Sequence, residues 1–200
     1  MICLLLGGCA LLTSAESPQT FDLPMTSVGR AKGRAVAAQL AVRQPIALRT
    51  LDTDRIQVRE GAGRLAYYPT AAWGDRLPRL VQARLVASLE DTGRFRAVIT
   101  NGEGLSAEYG LAVEIRAFEV RVQQGSARAV VDLFAKLVDE RRNEVVATRQ
   151  FSAEVPAARD SVVSGVNALR QAFQQVTSQI VRWAGSVRVA RRPVGDDDRG

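Results

Sequence analysis

The chain has no histidine among its 200 residues. That absence removes a Ser-His-Asp triad, an imidazole general base and every histidine-containing metal site. Lysine is nearly as scarce, with Lys32 and Lys136 the only two. A Ser–Lys dyad would have to use one of them. Lys32 falls in a predicted loop, Lys136 on the polar side of a predicted strand, and no serine motif lies near either. No GxSxG string occurs, and Ser164-Gly165 sits inside a helical pattern. No glycine-rich loop joins a strand to a helix in phosphate-binding form, so P-loop and dinucleotide-binding readings fail. Asp52, Asp54, Glu114 and Asp132 could pair for glycosidase-type acid–base work. Their places in turns and on strand faces point instead to solvated carboxylates. The sequence reads as a non-enzyme that needs no cofactor or metal.

Cysteine is limited to Cys3 and Cys9. Two thiols at that spacing make neither a disulfide framework nor a CxxC redox or zinc site. Leu6-Gly7-Gly8-Cys9 has another meaning. Leu at −3, two small residues and then Cys form the lipobox pattern, in which a signal peptidase cuts before Cys9 and the thiol takes a diacylglyceryl group. Small residues are needed beside the cut because the extended chain passes close to the peptidase's catalytic groups. On this reading residues 1–8 are a signal peptide, Cys9 is the lipidation site and 9–20 form a lipidated tether. Met1 to Leu6 carry no Lys or Arg, and a secretory leader wants a basic start and about 7–15 apolar residues. We therefore expect the true start codon to lie upstream.

The length suits one domain with its own core. No later apolar run approaches the ~20 residues of a membrane-spanning helix. Net charge is +6, carried almost wholly by arginine. Such usage, with abundant Ala and Val, reflects a GC-rich genome. The arginines (among them Arg34, Arg43, Arg49, Arg55, Arg59, Arg64, Arg76 and Arg84) are scattered rather than striped with aromatics, so nucleic acid is not expected as a partner. A basic surface suits a protein tethered beside anionic lipid headgroups.

Phe21-Asp22-Leu23 predicts the start of the first strand, and Thr26–Arg34 a loop. Ala35–Val42 is apolar and of strand length, stopped by Pro45. Asp54–Arg59 and Leu65–Tyr68, joined by Gly61-Ala62-Gly63, read as a hairpin. Asp75 as N-cap, Pro78 in the first turn and Gly93 at the end frame a helix whose face is Leu77, Leu80, Val81, Leu85 and Leu89. Phe95–Ile99 follows as a strand. Tyr109–Val120, Ala127–Val138 and Glu144–Glu154 alternate with period 2, which predicts an antiparallel meander with one face partly wet. Val162, Val166, Leu169, Phe173, Val176, Ile180 and Trp183 form the stripe of a second helix, Ser161–Trp183, capped by Asp160 and ended by Gly185. The 3.5-residue period also suits a coiled coil, but packing across a sheet is the preferred reading. These elements make a domain over 21–185, with 186–200 a disordered tail. Tyr67, Tyr68 and Trp73 cluster between hairpin and first helix, where they either contact a partner or seal the core edge.

Several strings together resemble the ABC-type transport auxiliary lipoproteins, the PqiC-like group. They are Cys9, Phe21-Asp22-Leu23, the run Leu51-Asp52-Thr53-Asp54-Arg55-Ile56-Gln57-Val58-Arg59, then Tyr67-Tyr68 and Ala72-Trp73-Gly74-Asp75-Arg76-Leu77-Pro78-Arg79-Leu80, and Asp91-Thr92-Gly93-Arg94-Phe95. The likeness extends over roughly Phe21 to Trp183. It implies an α/β sandwich, a single domain in which a mixed, largely antiparallel sheet is packed by two long helices. It implies a lipid-anchored, non-catalytic component of a lipid transport system with a mammalian-cell-entry (MCE) domain protein, a permease and an ATPase. Of functional positions only Cys9 carries over. Ala10, not Asp, follows it, which by the enterobacterial sorting rule places the protein on the periplasmic face of the outer membrane. Phospholipid cargo and a homo-oligomer, built on the Val162–Trp183 seam or a sheet edge, are open possibilities. The alternative role is a regulatory lipoprotein that activates an envelope synthase, which would favour a longer spacer than the stretch from Cys9 to Phe21.

Overall fold

A computed structural model describes residues 17–30, 36–61, 63–101, 104–158 and 161–187. Among the described residues the first elements are β1 (Gln19–Phe21), β2 (Val36–Val42), β3 (Ile46–Ala47), β4 (Arg55–Glu60) and β5 (Arg64–Trp73). Helix α1 (Leu77–Asp91) and β6 (Phe95–Thr100) follow. Then come β7 (Tyr109–Gln123), β8 (Ser126–Asp139), β9 (Glu144–Ala157) and the closing helix α2 (Val162–Ser186).

The three predicted alternating runs are β7, β8 and β9, and they do form an antiparallel meander. Gln124 and Gly125, both at positive φ, make the two-residue β7–β8 turn. The opposite edge of β7 takes three strands in succession, all parallel to it. Leu40–Val42 of β2 lie beside Tyr109–Leu111, Ile46–Ala47 of β3 beside Glu114–Ile115, and Gln57–Glu60 of β4 beside Glu119–Val122. From there the sheet branches, through β2 to β6 at one end and through β4 to β5 and β1 at the other. The result is a mixed α/β sheet whose long pairings are antiparallel and whose short ones are parallel. Both helices cover one face; α2 lies across β8 and β9 and touches α1.

Alternation puts Ala129, Val131, Leu133, Ala135 and Leu137 of β8 under α2, all fully buried. In β7 the pattern breaks once. Leu111, Val113 and Ile115 face the helices, but so do Phe118 and Val120. The register against β8 slips between Ile115 and Ala117, so Arg116 is the extra residue of a β-bulge. An unbroken period of 2 would instead have sent Ala117, Glu119 and Arg121 inward. Phe118 centres the core, edge-on to Trp73 at 5.8 Å and tilted on Phe173 at 5.9 Å. Phe151 meets Trp183 in the same way at 5.5 Å.

The helix ends correct three expectations. Arg76, not Asp75, occupies the cap position of α1, and it makes no side-chain cap bond. The Leu77 amide is taken instead by the Thr53 carbonyl at 3.0 Å, which leaves Asp75 to accept from the Arg76 amide. Pro78 sits in the first turn and Gly93, at φ +57°, follows the Thr92 cap as expected. Ser161 caps α2 by accepting from the Ser164 amide at 3.1 Å; Asp160 lies outside the described residues. Gly185 is inside the last helical turn, because its carbonyl is held by Arg94 Nε at 2.8 Å and its missing Cβ makes room for the Arg94 stem. At the N-terminus the first strand starts at Gln19 and is finished by Phe21, paired parallel to Ala71–Trp73.

Deleting Arg116 removes the extra residue yet keeps every side chain on its present face. That variant should stay folded, within about 1–2 kcal/mol by urea unfolding, the loss being one exposed ion pair and one cation–π contact. Deleting Val113 turns Glu114 and Arg116 toward the core and should abolish cooperative unfolding.

Candidate functional site

On the sheet face turned away from the helices, β4 and β7 carry matching strings, Gln57-Val58-Arg59 and Glu119-Val120-Arg121. Their parallel register sets Gln57 beside Glu119 and Arg59 beside Arg121. The valines point into the core, so the polar members meet on the outer face. The Glu119 side chain is 0% exposed although it lies on that outer face, among the side chains that donate to it. Arg59 donates from Nε at 2.7 Å and Nη2 at 2.9 Å, Arg121 from Nε at 2.8 Å, and Gln57 from Nε2 at 2.5 Å. Burial alone would raise the Glu119 carboxyl; the donors from Arg59, Arg121 and Gln57 outweigh it and hold it below its ordinary range. The same hydrogen bonds raise Arg59. Four donors leave Glu119 no free lone pair for proton transfer, so the cluster is built to hold charge in place.

The register extends this cluster into two rows. Tyr67, Gln57, Glu119, Val130 and Glu154 lie side by side across five strands. The adjacent row is Leu65, Arg59, Arg121, Arg128 and Pro156. Arg128 bonds Glu154 at 2.6 Å, and the Arg55 guanidinium lies over the Tyr67 ring at 4.0 Å. Among the described residues no three His, Cys, Asp or Glu side chains come together in a metal-holding group.

The three aromatics singled out by sequence all belong to β5, Tyr67 and Tyr68 in the predicted strand and Trp73 in its continuation. Trp73 is 3% exposed and is a core residue, so it offers no surface to a partner. Tyr67 is half-buried, with its hydroxyl donating to the Thr50 carbonyl at 3.1 Å. Tyr68 is also half-buried, on the helix side, where its ring lies against Gly165 of α2 and burial raises its phenol. Cys9 lies outside the described residues. The Glu119 cluster was not anticipated, although the repeated polar-Val-Arg spacing in β4 and β7 was its signal.

Replacing Glu119 with Gln leaves two neighbouring guanidinium groups without their counter-charge and should cost about 3 kcal/mol at neutral pH. The lowered carboxyl gives stability that is present above its unfolded-state pKa and lost as pH falls through the folded one. The gap between wild type and Glu119→Gln, measured by denaturant unfolding, should therefore close progressively in acid. At the other contact, Gly165→Ala gains up to about 1 kcal/mol of helix propensity but pushes a methyl into Tyr68 Oη. The single variant should lose stability, and adding Tyr68→Phe should recover part of the loss in a double-mutant cycle.

Known proteins share this architecture. Protein XCC0632 from Xanthomonas campestris has the same fold, with a TM-score of 0.76 and 29% identity, over 83% of this chain and 94% of that one. A hypothetical protein from Chlamydia trachomatis, CT253, is alike in fold at a TM-score of 0.51 and 13% identity, over 75% of this chain and 96% of its own. An uncharacterized protein from Bradyrhizobium diazoefficiens is 27% identical over 182 residues, 90% of this chain. The chain spans about half of that relative, 49% of its length. The family pattern of the ABC-type transport auxiliary lipoprotein component matches residues 20–181, and the chain belongs to that family.

Proposed function

We propose that this protein is a lipid-anchored, non-catalytic subunit of an ABC-type lipid transport system, docking an MCE-domain conduit at the periplasmic face of the outer membrane. The observation that carries the proposal is the family match over 20–181, downstream of a lipobox cysteine at Cys9. The outer sheet face supports it, because its buried carboxylate is locked by arginines and its charges hold position instead of moving protons. A single acyl chain gives marginal binding at ~0.8 kcal/mol per buried methylene, so stable anchoring needs further chains, and lipoprotein processing supplies them. Tyr67, half-exposed beside the polar cluster, is the aromatic left to face a partner.

Affinity isolation of the native, acylated protein from its host envelope should recover an MCE-domain protein. The Cys9→Ser variant should leave the membrane fraction and recover it poorly. Repeated isolation of the intact lipoprotein without any MCE-domain protein would overturn the transport role, and an unmodified Cys9 by intact mass would overturn the anchor.

A further inference from the structure

The three arginines of the outer row are an anomaly in the sheet. Arg59, Arg121 and Arg128 stand directly opposite one another on β4, β7 and β8, at strand spacings of about 5 Å. Like charges set opposite on neighbouring strands are destabilising. One fully buried carboxylate, Glu119, is shared between two of them, and among the described residues Arg128 is paired with Glu154, itself at a surface position. Adding Arg55, which stacks on Tyr67 and faces the same patch, four cations meet three carboxylates, Glu119, Glu154 and Asp132, the last lying two residues from Val130 on the same face of β8 and bonded by Gln150. Arg121 binds Glu119 through Nε and Arg128 binds Glu154 through Nη1, and both side chains are partly exposed, at 38% and 54%. Glu119 needs Arg59 and Arg121, but Arg128 set beside them adds like charge that an anion would relieve.

We propose that this row is a docking surface for the phosphate groups of an anionic phospholipid bilayer. Two further features favour a bilayer. The row ends on apolar side chains, Leu65 at 40% exposure on β5 and Pro156 exposed on β9, which suit the boundary between headgroup and acyl chain. Polypeptide direction agrees as well. β1 runs parallel to β5 with Gln19 beside Ala71, so the chain enters β1 from the end of the sheet where Leu65 and the arginines lie. The stretch from Cys9 to Phe21 reaches at most about 40 Å, and the row lies about 20 Å along β5 from Gln19. The anchored bilayer is therefore within reach of the row. Membrane tethering is taken from the function proposed above; the surface itself is tested without it.

The test uses the full chain with Cys9→Ser, free of acyl groups, in co-sedimentation with vesicles of phosphatidylcholine alone or mixed with phosphatidylglycerol. The protein should bind the mixed vesicles and not the neutral ones. Arg121→Gln with Arg128→Gln should weaken that binding about thirtyfold, from two lost cations near the surface. Arg128→Gln alone leaves every Glu119 bond intact and should weaken it severalfold, which keeps the test valid if the pair is poorly folded. Arg79→Gln with Arg182→Gln, the same charge loss placed on the helices, should change it little. Equal losses from both pairs, or no preference for phosphatidylglycerol, would overturn the surface. Inorganic phosphate that raises the melting temperature through Arg121 and Arg128 while vesicles stay unbound would assign the row to a free anion and overturn bilayer docking. A failed search for an MCE-domain partner beside intact vesicle preference would sink the transport role and leave this surface standing.

Discussion

Strand β7 is hydrogen-bonded along both edges, and the extra residue at Arg116 decides what each of its halves shows to the core. Before the bulge the inward residues are Leu111, Val113 and Ile115; after it they are Phe118 and Val120. The bulge thus keeps a carboxylate and a guanidinium, Glu119 and Arg121, out of the helix-covered interior. Burying either unpaired would cost several kcal/mol. The same reversal delivers Phe118 to the point where β5, β7 and α2 meet through Trp73 and Phe173. Core and outer cluster are two results of one slip in register.

The outer cluster inherits its precision from that arrangement. Gln57 and Arg59 reach Glu119 because β4 is parallel to β7 and in register with it, and β4 is held there by its antiparallel partner β5. Loop contacts pin the surroundings. Tyr67 bonds the Thr50 carbonyl, and Thr53 satisfies the first amide of α1, so the segment between β3 and β4 is fixed from both sides. At the other end Arg43 pairs with Glu140 at 2.8 Å across Gly110, a position where a Cβ would collide with that carboxylate. A small side chain there lets an ion pair bridge β2 to the β8–β9 hairpin.

Much of this was legible in the residues. Period-2 runs located β7, β8 and β9, and a leucine stripe located α1. The heptad-like stripe of α2 resolved to packing across a sheet, because all of Val166, Leu169, Phe173, Val176 and Ile180 are buried against strands of the same chain. The parallel pairings of β2, β3 and β4 onto β7 were not legible, since they depend on contacts far apart in sequence with no local turn to announce them. Alternation could not reveal the bulge, because Arg116 and Ala117 are each reasonable on an outer face. Of the two readings of Trp73, sealing the core is the one its burial supports. Strand β5 runs five residues beyond Tyr68, and that extension carries the indole to the inner side.

The missing histidine acquires a second meaning beside the locked carboxylate of Glu119. Imidazole is the one side chain whose ordinary titration falls between about pH 5 and 8. A chain without it, with the Glu119 carboxyl held below its ordinary range, has no imidazole charge to gain or lose beside that cluster as acidity drifts. Ionic strength is then the variable to which its outer face answers. With screening lengths near 10 Å at about 0.1 M salt, arginines on adjacent strands still feel each other and their counter-ions strongly. Charges farther away along the sheet fade from their view.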